Sequence, residues 1–437
     1  IRRLRNHASL LAWLNGSDNP PPADVEQTYI DILKKYHWPN PFLSSATAKP
    51  TTVTGATGVK MEGPYEWVPA SYWLADKNLG GAHGFATEIS PGPAVPPIES
   101  LRRMLAPDHL WPINEYWSYH AGGGQFKDLK VFTEALSARY GPAKDAANYA
   151  MKSQLMAYES QRAMFEAYGG KRYTSTGVIQ WMLNNAWPSM IWHLYDYYLM
   201  PGGGYFGTKK ACEPVHVQYS YEDKSVIAVN TSPAPLRDLK LTAQVYDINL
   251  VPKFSKVLRL DLPADSTSRA FALPQIPDLS QTYFLRVLLE DSKGQAVSSN
   301  FYWLSTKDDV LDWQKSTWYY TPTNSYADMT QLQNLQAAKL AVSTRAVRKN
   351  GRETAQIRVS NPSPNLAFFI HLQIKQSRTE RNVLPVIWQD NYFSLLPGES
   401  KDVAAAYRVS ELAGSNAFVA VDGWNSPAVK IRIISAR

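Results

Sequence analysis

The hydrophobic period of the chain changes near Gly204, and this break limits the available folds more than any other feature of the sequence. Up to about residue 200, short apolar runs alternate with amphipathic helical stretches, as they do where βα units surround a parallel sheet. Beyond it the helical period disappears. Runs at 215–221, 225–230, 239–246 and 282–289 alternate with Pro, Asp and Ser turns, which predicts an antiparallel sandwich. A Trp- and Tyr-rich connection at 303–320 leads to a second set of strands near 340–345, 354–361, 368–373 and 417–421. The expected organisation is α/β followed by all-β, with units at 1–203, 204–303 and 304–437.

Within the first unit, residues 10–15 read as a buried strand. Asp24 is placed to cap a helix carrying Val25, Tyr29, Ile32, Leu33 and Tyr36 on one face. Strands are expected at 42–47, around Val59 and Met61, at 82–87 and at 177–183. Helices are expected from Pro96-Pro97 to Leu105, at 127–140, at 143–168 with Gly169-Gly170 as the stop, and at 191–199 ending at Pro201-Gly202.

Composition removes several function classes. With 44% apolar and 19% charged residues the chain is an ordinary globular one, and its longest apolar runs fall short of the ~20 residues that cross a bilayer. No membrane association is expected. The 45 basic and 38 acidic side chains are scattered without a block of like charge, so the net +7 does not predict nucleic-acid binding. One cysteine, Cys212, excludes an internal disulfide and a cysteine-based metal cluster. The aromatic share of 12% fits either large sandwich cores or stacking platforms in a carbohydrate cleft. The opening Ile1-Arg2-Arg3-Leu4-Arg5 has neither an initiator Met nor a signal-peptide pattern and reads as a processed or truncated end.

Gly202, Gly204 and Gly207 spell G-x-G-x-x-G, but a dinucleotide site needs a strand before and a helix after it. Here a helix is expected before and a strand after, so the glycines read as a linker. The histidines show no metal-ligand spacing and no G-x-S-x-G elbow is present, so neither metal, cofactor nor serine hydrolase chemistry is expected.

Two carboxylates remain: Asp18, after the apolar run 10–15, and Glu88, after 84–87. In a parallel barrel the C-terminal ends of strands carry the chemistry, and two carboxylates there would share a cleft, as glycoside hydrolysis requires. Asp18 also precedes Asn19-Pro20 and could equally start a turn.

The surrounding residues carry a resemblance. Arg5-Asn6-His7-Ala8-Ser9, leading through Trp13 to Asn15-Gly16-Ser17-Asp18, resembles the acid/base segment of glycoside hydrolase family 2, where Arg-Asn-His-Pro-Ser leads to Trp-x-x-Gly-Asn-Glu. Gly84-Phe85-Ala86-Thr87-Glu88-Ile89-Ser90 is similar to the nucleophile segment of that family. Val383-Leu384-Pro385 and the stretch from Asp390-Asn391-Tyr392 to Pro397-Gly398-Glu399 resemble the last β-sandwich of its mannosidase-like branch. Ser17-Asp18 in place of Asn-Glu, together with 60–69 and 205–221, resembles the branch of exo-β-D-glucosaminidases acting on chitosan oligosaccharides.

The resemblance implies the C-terminal part of a (β/α)8 barrel followed by two immunoglobulin-like sandwiches. It implies a retaining hydrolase with Asp18 as acid/base and Glu88 as nucleophile, secreted or periplasmic, releasing β-linked glucosamine from oligosaccharides. Ser17 replaces the Asn that meets the sugar 2-hydroxyl, and Tyr65, Trp67 and Trp181 are the stacking candidates. Family members carry a jelly-roll domain, an immunoglobulin-like domain and the first barrel strands ahead of the acid/base. A companion chain or missing N-terminal half is therefore expected. A β-mannosidase or endo-β-mannosidase remains an alternative. So does a non-catalytic carbohydrate-binding or scaffold chain, since about five parallel strands leave two edges unpaired.

Overall fold

A computed structural model describes residues 1–434. Its first part is helical with short parallel strands. β1 (Trp13–Leu14) pairs in parallel with β2 (Phe42–Leu43) across α1 (Ala23–Lys35). β3 (Gly84–Ile89) pairs in parallel with β4 (Ser175–Gln180), and a single parallel bridge from Lys60 to Ala86 lies on the other side of β3. The strand predicted at 10–15 contracts to two residues, and the one around Val59 and Met61 to that bridge. Asp24 does not cap α1; it lies in the first turn after Pro22, where its charge still meets the positive helix end.

Between β3 and β4 run α2 (Ile98–Met104), α3 (Glu115–Ala121), α4 (Lys130–Tyr140) and α5 (Ala146–Gly170). Asp145 starts α5 by accepting a hydrogen bond from the Asn148 amide at 2.7 Å. Most of α5 is buried, because it lies between the βα region and the sandwiches.

The helix predicted at 191–199 is not formed. Asp196 instead accepts from the amides of Tyr198 and Met200 at 2.8 and 2.9 Å, closing a turn that competes with helix. The helix appears one step later, as α6 (Gly203–Ala211), so the linker reading of Gly202, Gly204 and Gly207 is corrected. A Cβ at Gly203 would lie 2.2 Å from the Gln154 carbonyl oxygen, and one at Gly207 2.3 Å from that of Tyr158. The glycines let α6 press against α5, and this packing outweighs their poor helix propensity.

The sheets begin at β5. In chain order they are β5 (Val215–Tyr219), β6 (Ser225–Asn230), β7 (Leu236–Asp247), β8 (Pro252–Leu262), β9 (Ser266–Ala272), β10 (Thr282–Glu290) and β11 (Ala296–Ser305). They form a three-stranded sheet, β5-β6-β9, and a four-stranded sheet, β11-β10-β7-β8. Alternate residues such as Val217, Leu241, Val245, Leu285 and Val287 are buried in one core, as two packed faces require. A second pair of four-stranded sheets follows. One contains Ala341–Lys349, Arg352–Ser360 and Ser400–Arg408, the other Ala367–Gln376, Ala417–Gly423 and Ser426–Arg432. Asn350 and Gly351 both have positive φ, 50° and 72°, the backbone that a tight two-residue hairpin turn demands.

Helix α5 fastens the two regions with a buried polar network. Glu166 Oε1 accepts from His216 Nε2 at 2.8 Å, Asn300 Nδ2 at 2.8 Å and the Tyr302 hydroxyl at 2.7 Å. Arg162 donates to the Asn300 side chain and the Phe301 carbonyl, both at 2.8 Å. Arg139 on α4, 1% exposed, pairs with Glu159 and Asp309 at 2.6 Å each. Burial would lower the His216 pKa, but hydrogen bonds to Glu166 and Glu213 outweigh it and raise it.

Candidate active site

The ends of β1, β2, β3 and β4 open on a cavity of about 620 Å³. Ser17, Asp18, Tyr65, Glu88 and Trp181 all line it. Asp18 has φ 62°, a left-handed backbone that Asp tolerates better than most residues. The Ser17 hydroxyl donates to Asp18 Oδ1 at 2.9 Å. Glu88 stands in β3, one residue before its end.

Tyr65 governs the surroundings of Glu88. Its hydroxyl lies 2.9 Å from Glu88 Oε1 and 3.2 Å from the Glu88 carbonyl oxygen, and the nearer, charged acceptor takes the stronger bond. Burial pushes the Glu88 pKa up, the Tyr65 hydrogen bond pulls it down, and the Asp18 charge adds to the rise. The net direction is up. The ionised form of Glu88 is thus opposed by burial and supported by one phenol. Tyr65 itself is raised, by burial and by the Glu88 charge.

Trp181 follows β4, its amide donating to the Ile89 carbonyl at 3.1 Å, and it is 41% exposed at the cavity. Trp67 is not at the cavity. It is 2% exposed in the core, its Nε1 donating to Ser160 at 3.1 Å, so its place among the stacking candidates is corrected. Three further aromatic residues complete the wall and were not singled out from the sequence: Phe126, Trp192 and Trp318. Their rings lie 6.0, 5.3 and 5.9 Å from the Tyr65 ring. Trp192 Nε1 donates to the Tyr65 carbonyl at 2.8 Å. Trp318 arrives from the connection between the sandwiches, tied in by Gly63 and Tyr65 amides that donate to the carbonyls of Trp318 and Tyr319 at 2.9 and 2.8 Å. The signal for Trp318 was present in the Trp- and Tyr-rich run 303–320.

A concave, aromatic-walled site with the carboxylates of Asp18, Glu62 and Glu88 on its lining suits a sugar ring, whose apolar face stacks while its hydroxyls seek polar groups. Among the described residues, no group of three or more His, Cys, Asp or Glu could hold a metal ion. Among the same residues, no helix is long and apolar enough to cross a membrane.

Comparison with known proteins gives a consistent set of likenesses. A family model described as the exo-β-D-glucosaminidase Ig-fold domain matches residues 318–426. The chain is 43% identical to an exo-β-D-glucosaminidase of Streptomyces avermitilis, over 97% of this chain and 48% of that protein. It is 38% identical to one from Amycolatopsis orientalis, over 97% of this chain and 42% of that protein. The crystal structure of the Amycolatopsis orientalis exo-chitosanase superimposes with a TM-score of 0.93 at 36% identity, over 98% of this chain and 52% of that one. The chain spans about half the length of the curated relatives it matches.

Proposed function

We propose that this chain belongs to the exo-β-D-glucosaminidase branch of glycoside hydrolase family 2 and carries both catalytic carboxylates of a retaining glycosidase, a reading supported by its likeness to exo-β-D-glucosaminidases. The substrate is a chitosan oligosaccharide, and the product is glucosamine released from its non-reducing end. The observation that carries this reading is that Asp18 and Glu88, apart in sequence, line one cavity.

In this mechanism Glu88 attacks the anomeric carbon while Asp18 protonates the departing glycosidic oxygen. A glycosyl-enzyme forms, water then attacks it with Asp18 as base, and the anomeric configuration is retained. The mechanism needs carboxyl groups roughly 5–5.5 Å apart. The Tyr65 hydrogen bond favours the ionised form of Glu88 against its burial, and Trp181 offers the exposed ring on which a sugar can stack. Ser17 is too short to replace an Asn at the sugar 2-position, but an ammonium there is drawn to the carboxylates of Asp18 and Glu88 instead. N-acetylation would remove that charge and add bulk.

The parallel segments at β1, β2, Lys60, β3 and β4 form, in this reading, the C-terminal part of a (β/α)8 barrel over 1–203, followed by sandwich domains at 204–303 and 304–437. A companion polypeptide, or a longer form of the same chain, supplies the first strands. A secreted or periplasmic setting belongs to the same reading, on the family resemblance alone. Rates of the complete assembly on aryl β-glucosaminide, β-N-acetylglucosaminide and β-mannoside test the reading. The glucosaminide should turn over fastest, and faster turnover of the mannoside overturns the amine argument.

A further inference from the structure

The backbone of Ala46 joins the two carboxylate-bearing segments. Its N–H donates to the Gly16 carbonyl at 3.0 Å, two residues before Asp18. Its carbonyl accepts from the Thr87 hydroxyl at 3.0 Å, one residue before Glu88. A hydroxyl has one proton to give, and the Lys60 carbonyl, 3.2 Å from Thr87 Oγ1, already accepts the Thr87 amide at 2.9 Å. The Thr87 proton therefore belongs to Ala46. Successive side chains of a strand point to opposite faces, so Thr87 turns away from the cavity that Glu88 faces, and it is not among the residues lining that cavity. It is 8% exposed, and Ala46 is 4% exposed.

The segment that carries Ala46 is itself held from below. Glu26, on the first turn of α1 and fully buried, accepts at Oε1 from Ser44 at 2.5 Å, Thr51 at 2.8 Å and Thr54 at 2.5 Å. Burial would raise the Glu26 pKa, but these hydroxyls outweigh it and lower it. The Ser45 hydroxyl also donates to the Asn19 carbonyl at 3.1 Å, on the far side of Asp18. A rigid spacer thus lies between the acid/base loop and the nucleophile strand.

We propose that Thr87 is a positioning residue, which sets the separation of the Asp18 and Glu88 carboxylates through the backbone of Ala46. This rests on the catalytic reading of those two residues. Proton transfer and nucleophilic attack both depend on the carboxylates meeting one bond, and a misplacement of about 1 Å can lower a rate about 10²-fold. Binding of the sugar is far less sensitive to it.

The test compares Thr87→Val, Thr87→Ser and Glu88→Gln in the complete assembly. Thr87→Val keeps the shape and loses the donor; kcat should fall at least about tenfold while KM changes less than about twofold, and the acid limb of the kcat pH profile should move. Thr87→Ser keeps the donor and should restore both. Parental kcat and pH profile in folded Thr87→Val overturn the proposal, as does a folded Thr87→Ser that fails like Val. If Thr87→Val does not fold, Glu26→Gln, which weakens the spacer at its base, should give the same split of kcat from KM, and an unchanged kcat there also overturns the proposal. An inactive Glu88→Gln beside a fully active Thr87→Val removes this inference alone, whereas an active Glu88→Gln removes the catalytic reading beneath it.

Discussion

The all-β region and the βα region hold their strands by different means. In the former, β7, β8, β10 and β11 run nine to twelve residues and pair along most of their length. In the latter, β1 and β2 have two residues each, and β3 and β4 have six. The short strands place their side chains through a few cross-links instead: the Ala46 backbone, the Tyr65 hydroxyl and the buried pairs of α4 and α5. A cleft made of strand ends frees its residues for chemistry but leaves it dependent on neighbours for stability. Breaking the cross-links should therefore affect activity and the seam between the regions before it affects the sandwiches.

The largest effect should come from the carboxylates. Glu88→Gln and Asp18→Asn should each lower hydrolysis by about 10² to 10⁴-fold or more without unfolding, since nucleophilic and acid–base roles are each worth several kcal/mol of barrier. Rate and far-UV dichroism of the complete assembly measure this. A Glu88→Gln variant retaining more than about a tenth of the parental rate, within ~1.4 kcal/mol of barrier, makes the nucleophile assignment wrong. A small anion should rescue Glu88→Gln with inverted product, separating nucleophile from acid/base.

Next comes autonomy. Residues 205–437 should fold alone as a cooperatively melting monomer. Residues 1–437 without a companion should self-associate, because the edges of the β1–β2 pair and of β4 have no strand partner among the described residues, and Leu11, Ile179 and Leu183 are exposed. Sedimentation and calorimetry distinguish the two. A monomeric, cooperative 1–437 would show that the βα region is self-contained and would remove the contrast between the regions.

Much of this contrast was legible in the sequence because it follows from hydrophobic period. The sandwich runs 215–221, 225–230 and 282–289 nearly coincide with β5, β6 and β10, and Pro96-Pro97 does introduce α2. That Asp18 and Glu88 share one cleft was legible from the residues around them. Local pattern failed where tertiary packing decides. Gly203, Gly204 and Gly207 favour coil alone, yet they form α6, and at Gly203 and Gly207 only glycine fits against the α5 backbone. The aromatic run 191–199 has a helical look, yet Asp196 closes a turn there, and Trp192 donates to the Tyr65 carbonyl. Trp67, two residues from Tyr65, would share a face with it in an extended strand, but the chain carries it into the core. Phe126, Trp192 and Trp318 meet from three distant segments, and no spacing rule joins them.

The seam itself gives a smaller, thermodynamic test. Arg139→Met leaves the Glu159 and Asp309 carboxylates without their shared cation, and breaking a buried pair from one side costs about 3–5 kcal/mol. The loss should appear in the βα transition and leave the melting of isolated 205–437 unchanged, since Arg139 is absent from it. If Arg139→Met melts like the parent, the pair contributes nothing net to the seam.

The smallest effect concerns the phenol that opposes burial at Glu88. Tyr65→Phe removes the hydrogen bond that lowers the Glu88 pKa, while burial and the Asp18 charge, which raise it, remain. The group that must be ionised for attack then holds its proton to higher pH. The acid limb of kcat/KM should therefore move upward, by roughly one unit at most, since one charge-assisted bond is worth about 1.5–3 kcal/mol before water replaces part of it. Above that limb the rate should return toward the parental value, because the ring and its contacts with Trp192 and Trp318 persist. A pH profile of Tyr65→Phe on an aryl β-glucosaminide measures this. A limb that stays in place, or moves downward, would show that Tyr65 acts by packing alone and that solvent, not this phenol, sets the ionisation of Glu88.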